Sequence, residues 1–166
     1  MGKKHHYRDI SKAKYLHSQD LGQEEWVLTI KEAKREPLEV PGRDEAKESN
    51  VLYWVEDEKP MVANAFENCG DVLAKLSGST YVEDWAGLTI RIYRDPTVKG
   101  RSGDVVGALR VRDEKLKPKD KITKKHKDWE VVQKAVQSGK VGMRRLQNKY
   151  FMTPALYAEL EKMLPQ

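Results

Sequence analysis

The chain has 166 residues, of which 39% are hydrophobic and 34% are charged, and its formal net charge at pH 7 is +5. This length suits one domain of ordinary size, or a small domain with an appendage. No apolar run approaches the roughly 20 residues that a membrane-spanning helix needs, and the first residues lack the apolar core of a signal peptide. The single cysteine, Cys69, excludes an internal disulfide and suits a reducing compartment. We therefore expect a cytoplasmic protein with no membrane partner.

The order of the β-rich and helical runs is the strongest indication of the fold. Alternating or β-branched runs predict strands at 26–30, 51–55, 61–63, 88–93 and 105–111, and a helical stretch covers 65–76. A helix between the third and fourth of five strands is the order of an OB-type barrel. The sequence therefore predicts a mainly β (α+β) domain, a five-stranded OB-like barrel preceded by a short lead-in segment.

The segment 37–50 between the first two predicted strands is rich in turn-forming and acidic residues. It holds two prolines, a glycine and four acidic side chains, Glu39, Asp44, Glu45 and Glu48. This composition predicts a long exposed loop. In OB barrels this loop often borders the ligand groove, and its acidity here argues against close contact with phosphates.

The composition changes after residue 114. Residues 115–127 contain seven lysines and a proline with few apolar residues, which predicts a linker. Three short amphipathic helices are predicted to follow, near 128–139, 142–150 and 153–164. The predicted division is therefore a barrel with its lead-in at 1–114, a lysine-rich linker at 115–127 and a small helical tail at 128–166. Removal of residue 115 onward is expected to leave a folded barrel.

Positive charge is concentrated outside the predicted barrel. Residues 115–149 carry twelve Lys or Arg against three Asp or Glu, a balance of +9, whereas residues 1–114 sum to −3. The lysines suit either an electrostatic clamp on phosphates or a soluble tether. Their concentration next to an acidic barrel favours the clamp.

No catalytic or metal-binding pattern is visible. The four histidines lie in polar or basic segments without a nucleophile at a meaningful spacing, and there is no glycine-rich phosphate loop or Cys/His ligand pattern. We expect a non-enzymatic protein that needs no cofactor and no metal.

Basic residues interleaved with aromatics on strands indicate binding of single-stranded nucleic acid, which needs flat surfaces for bases and cations for phosphates. Tyr53 and Trp54 point to opposite faces. Tyr53 shares its face with two valines and looks like core, so Trp54 is the better stacking candidate. The predicted nucleic-acid-binding residues are Trp54, Arg91, Tyr93, Arg94, Lys99, Arg101, Arg110 and Arg112 in the barrel, and Lys124, Lys125, Arg144 and Arg145 after it. The alternative is that Trp54 closes a barrel end and the arginines form a solvated face.

Several phrases resemble a group of small phage and prophage proteins that lie among recombination and replication genes. The matching phrases are Ala13-Lys-Tyr-Leu with Asp20-Leu21, Lys59-Pro-Met-Val-Ala-Asn64 with Asn68, Trp85-Ala-Gly87 with Ile90-Arg-Ile-Tyr93, Val106-Gly-Ala-Leu-Arg-Val111, and a tail running from Trp129 through Gly139 to Tyr150 and Thr153. The resemblance implies an OB-like fold and a role in DNA transactions in the host cell cytoplasm. It implies no catalytic residues.

The functional prediction is a non-enzymatic protein that binds single-stranded DNA without sequence preference during phage replication or recombination. The alternative is an OB-like interaction module that inhibits or adapts a replication, recombination or host-defence protein through its acidic loop or its tail. A helix-turn-helix regulator of duplex DNA is disfavoured by Glu159 and Glu161 on the third predicted tail helix. The sequence leaves open the oligomeric state and the choice between DNA and RNA.

Overall fold

The computed structural model describes residues 14–38, 45–56, 58–63, 69–99 and 102–165. The protein is of the α+β class. In chain order its elements are α1 (Ser18–Leu21), β1 (Trp26–Leu38), β2 (Lys47–Trp54), β3 (Met61–Ala63), α2 (Gly70–Ser77), a 3-10 helix (Val82–Trp85), β4 (Thr89–Asp95), β5 (Ala108–Val111), β6 (Asp120–Lys121), α3 (Trp129–Gln137), α4 (Met143–Lys149), β7 (Tyr150–Phe151) and α5 (Pro154–Glu161).

Strands β1 to β5 form one antiparallel sheet in the order β3-β2-β1-β4-β5. The long strand β1 is shared between two sets of neighbours. Its residues 26–29 pair with β4, and its residues 30–38 pair with β2. A register shift between Ile30 and Glu32 separates the two halves, and such a bulge bends a strand and increases its twist. The sheet can therefore curve around one apolar face.

The sheet is open in the part of the chain that the structure describes, because β3 and β5 do not pair there. The five-stranded antiparallel sheet is as predicted, whereas closure into a barrel is not observed. Strands β3 and β5 are short, with three and four residues. Helix α2 also lies beside β5, with the Cys69 thiol 3.7 Å from the carbonyl oxygen of Leu109 and an ion pair between Lys75 and Asp113. Residues on α2 and just before it thus contact β5 and the segment that follows it.

Three predicted boundaries need correction. The predicted loop 37–50 is largely hairpin, since Pro37 pairs with Glu48 and Leu38 with Lys47, and residues 39–44 lie outside the described part. Pro37 lies in the half of β1 that pairs on one side only, which is the edge position where prolines within sheets are found. The fifth strand begins at Ala108 instead of residue 105, where Val105 forms only an isolated bridge with Lys99. Helix α2 occupies Gly70–Ser77, and the first residues of the predicted helix are not described.

Two hydrophobic clusters divide the chain near the predicted boundary. The first, which lies between the sheet, α1, α2 and the 3-10 helix, includes Leu28, Ile30 and Ile90, all fully buried. The second is built from α3, α4 and α5 and includes Ile122, a residue of the predicted linker. Strand β6 of the same segment pairs in parallel with β7. The prediction of a plain linker at 115–127 is therefore wrong, because part of it belongs to the second core. We call residues 115–165 the C-terminal unit.

The C-terminal unit supplies hydrogen-bond partners to the part of β1 that β2 does not cover. Since β2 pairs with β1 only from Ile30 onward, the backbone around Val27 lacks a strand partner on that side. The Asn148 side chain takes this place, with Oδ1 accepting from the Val27 N–H (2.8 Å) and Nδ2 donating to the Glu25 carbonyl (2.7 Å). This pairs backbone groups that would otherwise be buried without a partner. The unit is thus tied to the sheet by hydrogen bonds that imitate those of a strand.

A buried ion pair reinforces the same junction. The Glu56 carboxylate, at the end of β2, accepts hydrogen bonds from the Thr29 N–H and from Lys119 Nζ, the latter at 2.7 Å. The side chains of Lys119 and Glu56 are only 3% and 7% exposed. Burial lowers the pKa of Lys119, and the hydrogen bond to Glu56 offsets part of that shift. This lysine is therefore committed to holding the two parts of the protein together, which removes the structural basis for expecting a folded barrel without residues 115–166.

Candidate nucleic-acid interface

Trp54 does not offer a surface for base stacking. Its side chain is 3% exposed, and its Nε1 donates to the carbonyl oxygen of Lys59 at 3.0 Å. The predicted face assignment of β2 is inverted, since Leu52 and Trp54 lie in the first core. Tyr53 is half-buried instead, and its hydroxyl donates to Glu36 at 2.7 Å, which raises the pKa of Tyr53 to about 12. The prediction of Trp54 as a stacking residue is therefore wrong.

Outward residues of β4, of β5 and of the position after β5 lie together, and we call them the strand face: Arg91, Tyr93, Arg110 and Arg112. The register places Tyr93 opposite Arg110, and the Arg112 N–H donates to the carbonyl oxygen of Arg91. The Arg112 guanidinium lies 3.8 Å from the centroid of the Tyr93 ring. The alternation of residues along the two strands thus predicted this grouping.

Carboxylates neutralise the arginines of the strand face. Glu25 forms ion pairs with both Arg91 and Arg112, and its hydrogen bond raises the pKa of Arg112. Glu114 forms a second pair with Arg91. Asp95 lies 3.6 Å from Arg110, and hydrogen bonds from Thr97, the largest cause, lower the pKa of this carboxyl group. A phosphate that approached this surface would have to compete with these three acids.

A groove of about 420 Å³ adjoins the strand face. Tyr93, Arg94 and Arg112 line it together with Glu24 and Glu25. Arg94 Nε is buried without a hydrogen-bond partner among the described residues. Two other contacts were predicted between β4 and β5. Lys99 is exposed there, and Arg101 lies outside the described residues.

The four predicted contacts of the C-terminal unit divide into two kinds. Lys124 pairs with Glu159 at 2.8 Å. Arg144 pairs with Glu58 at 3.0 Å and lies 3.5 Å over the Trp26 ring, so it serves the junction with the sheet. Lys125 and Arg145, in contrast, are exposed and have no carboxylate within 4 Å in the described part of the chain.

Seven further lysines of the C-terminal unit share the properties of Lys125 and Arg145. Each is exposed, and none has a carboxylate partner among the described residues: Lys115, Lys117, Lys121, Lys127, Lys134, Lys140 and Lys149. The sequence predicted a phosphate clamp in this basic region, but these seven lysines were not among the individual contacts predicted. We call the nine side chains the free cations.

A groove of about 390 Å³ between α3 and α4, the helical groove, brings two free cations next to apolar surface. Arg145 and Lys149 lie one turn apart on α4, and across the groove Val131 is 67% exposed. The one acid that lines the groove, Asp128, accepts a hydrogen bond from the Tyr150 hydroxyl, which lowers the pKa of Asp128. The arrangement suits an anionic ligand with apolar parts.

Within the described residues, no group of three or more His, Cys, Asp or Glu side chains is placed to hold a metal ion. No helix in the same ranges is long and apolar enough to cross a bilayer.

Comparison with known proteins found no matching family model, no similar curated protein and no similar solved structure. The resemblance to phage proteins described above therefore stays an expectation from the sequence phrases.

Proposed function

We propose that the protein is a non-enzymatic nucleic-acid-binding protein that holds single-stranded DNA by its phosphates, without sequence preference. The observation that carries this proposal is the set of nine free cations on the C-terminal unit. Lys or Arg side chains that meet phosphates release condensed counterions, and this release drives sequence-independent binding. The resemblance to phage proteins adds a setting in DNA replication or recombination.

A single strand fits the helical groove better than a duplex does. Helix α4 has only seven residues, and its Arg144 and Asn148 point to the sheet. A recognition helix has to project into the major groove of a duplex, and this helix is held against its own protein. Helix α5 carries Glu159 and Glu161, which oppose a duplex backbone.

We further propose that the sheet is an OB-like barrel left open at one seam. The strand order β3-β2-β1-β4-β5 with a helix after β3 supports this, because an OB barrel has the same neighbours and is often only partly closed. Here the sheet serves mainly as the scaffold for the C-terminal unit. The alternative of a protein-interaction module depends on the acidic loop, whose residues 39–44 lie outside the described part, or on the helical tail, and no contact of the described residues favours it.

A salt titration with matched variants tests the proposed function. A labelled oligo-dT is titrated with the wild-type protein and with the double variant Lys125→Ala, Arg145→Ala at several salt concentrations. Loss of two phosphate contacts should weaken binding and flatten the slope of log affinity against log salt by about 1.4, since each contact to a single strand contributes about 0.7. The matched control is the double variant Lys31→Ala, Lys47→Ala, which also removes two exposed lysines, one on β1 and one at the start of β2.

Two results would contradict the proposal. One is the absence of wild-type binding to any oligonucleotide at about 50 mM salt, where phosphate contacts are strong. The other is an equal loss of affinity in the control double variant, which would show that net charge matters and the position of the cations does not.

A further inference from the structure

A pocket of about 340 Å³ lies at the junction between the end of β2 and the C-terminal unit, and we call it the junction pocket. Its walls are largely apolar and aromatic: Val55, Tyr150, Phe151, Met152, Pro154 and Tyr157, with Gln147, Glu56 and Glu58 as its polar residues. Phe151 and Tyr157 are both partly exposed, and burial raises the pKa of the Tyr157 hydroxyl. The pocket volume lies at the lower end of the range that small-ligand sites occupy.

Each of the two carboxylates of the junction pocket is paired with a cation, and one of their oxygens has no hydrogen-bond donor among the described residues. Both oxygens of Glu56 accept hydrogen bonds, from the Thr29 N–H and from Lys119. Glu58 uses Oε1 to accept from Arg144 Nη2 at 3.0 Å. Within the described residues its second oxygen, Oε2, has no donor. The pocket thus combines aromatic walls with a single carboxylate oxygen that can accept a hydrogen bond.

The junction pocket adjoins the cations of the proposed function. Tyr150 lines both this pocket and the helical groove, where Arg145 and Lys149 lie. On the side of β6, the free cation Lys121 pairs in register with Phe151. The junction pocket and the free cations thus meet at Tyr150 and at the β6–β7 pair.

We infer that the junction pocket takes one unpaired base of the bound strand, stacked against Phe151 or Tyr157, with its exocyclic amine donating to Glu58 Oε2. This inference rests on the proposed function. Proteins that recognise single strands stack splayed bases on aromatic rings and read their Watson–Crick edges by hydrogen bonds. A carboxylate is the acceptor suited to the amine of cytosine.

The free oxygen of Glu58 gives the pocket a base preference. Cytosine, adenine and guanine carry an exocyclic amine, whereas thymine and uracil carry none. Binding that is otherwise indifferent to sequence should therefore favour a strand with amine-bearing bases. One good contact of this kind corresponds to about tenfold in affinity, which is the factor that 1.4 kcal/mol gives.

The test compares three oligomers of equal length: oligo-dC, oligo-dT and an abasic strand with the same phosphates. The wild-type protein should bind oligo-dC about tenfold more tightly than oligo-dT, and the abasic strand most weakly. Glu58→Gln should reduce the difference between dC and dT. The double variant Phe151→Leu, Tyr157→Leu, which keeps apolar side chains but removes both rings, should weaken both base-bearing strands and leave the abasic strand unchanged.

A measurement on the wild-type protein keeps the test independent of how the variants fold. A 2-aminopurine placed within the strand should lose fluorescence on binding, because stacking on an aromatic ring quenches it. Equal binding of all three strands, or 2-aminopurine fluorescence that does not change on binding, would overturn the base pocket. Since abasic binding would survive that result, the failure differs from failure of the proposed function, in which no strand binds.

Discussion

The strand face and the C-terminal unit are both rich in cations, but they differ in what surrounds those cations. On the strand face, Arg91, Arg110 and Arg112 each have a carboxylate partner. In the C-terminal unit, nine of the twelve basic side chains between residues 115 and 149 have none among the described residues. A count of Lys and Arg along a segment therefore does not measure the charge available to a ligand. That charge depends on which cations have a carboxylate beside them in the folded structure.

The largest expected effect comes from Lys119, the buried exception among the lysines of the C-terminal unit. Lys119→Met leaves the Glu56 carboxylate buried without its cation. Breaking a buried pair in this way typically costs about 3–5 kcal/mol of unfolding free energy. Urea denaturation measures the loss.

The neighbouring lysines provide the control for this variant. Lys117→Met changes an exposed side chain without a described partner and should alter stability by less than about 0.5 kcal/mol. Adding Glu56→Gln to Lys119→Met should restore part of the loss, because the buried charge is then removed. Equal stability of the two lysine variants would show that Lys119 is as solvated as its neighbours.

A smaller loss is expected at Asn148, which joins the C-terminal unit to the sheet. Asn148→Ala leaves the Val27 N–H and the Glu25 carbonyl without their partner, and an unpaired buried group costs about 1–3 kcal/mol. Hydrogen exchange at the Val27 amide should become faster. Asn148→Asp keeps an acceptor for the Val27 N–H but loses the donor to the Glu25 carbonyl. Its stability should therefore fall between that of the wild-type protein and that of Asn148→Ala. An alanine variant with wild-type stability and exchange would contradict the pairing.

The smallest expected effect concerns the strand face, where removal of a carboxylate should make its arginines more available to a ligand, as the free cations are. Glu25→Gln removes the carboxylate shared by Arg91 and Arg112. Under the proposed function it should raise affinity for a single strand and steepen the salt slope by about 0.7, because it frees Arg112 while Arg91 keeps its pair with Glu114. Glu24→Gln makes the same change of net charge in the same groove, at an exposed residue without a described partner. If both variants bind alike, the ion pairs of Glu25 do not mask the arginines.

Local patterns in the sequence predicted the elements well. Helices α3, α4 and α5 lie within the predicted ranges 128–139, 142–150 and 153–164, because their apolar residues recur at helical spacing. The positions of the strands along the chain also followed from their alternating or β-branched residues. What alternation could not supply was the choice of face in β2, where the adjacent Tyr53 and Trp54 both look suited to the core and only the packed sheet decides.

The interface could be predicted only in outline, because its decisive contacts join distant residues. Glu25 and Arg112 are 87 positions apart, and Val27 and Asn148 are 121 apart. Nothing local distinguishes Lys119 from the lysines around it, although it alone among them is buried with Glu56. The sequence therefore indicated a basic region and left its division into structural and available cations to the fold.

The Asn148 amide has a consequence for how the molecule is made. An uncovered strand edge is a template for pairing with another chain, and the part of β1 around Val27 has no covering strand of its own. During synthesis this edge leaves the ribosome 121 residues before the side chain that covers it. Nascent chains should therefore pass through a stage in which the backbone groups of this strand edge are unpaired and can bind another chain. A ribosome stalled between β5 and α4 should yield a product that aggregates. Light scattering of stalled or truncated chains with and without α4 would detect that stage.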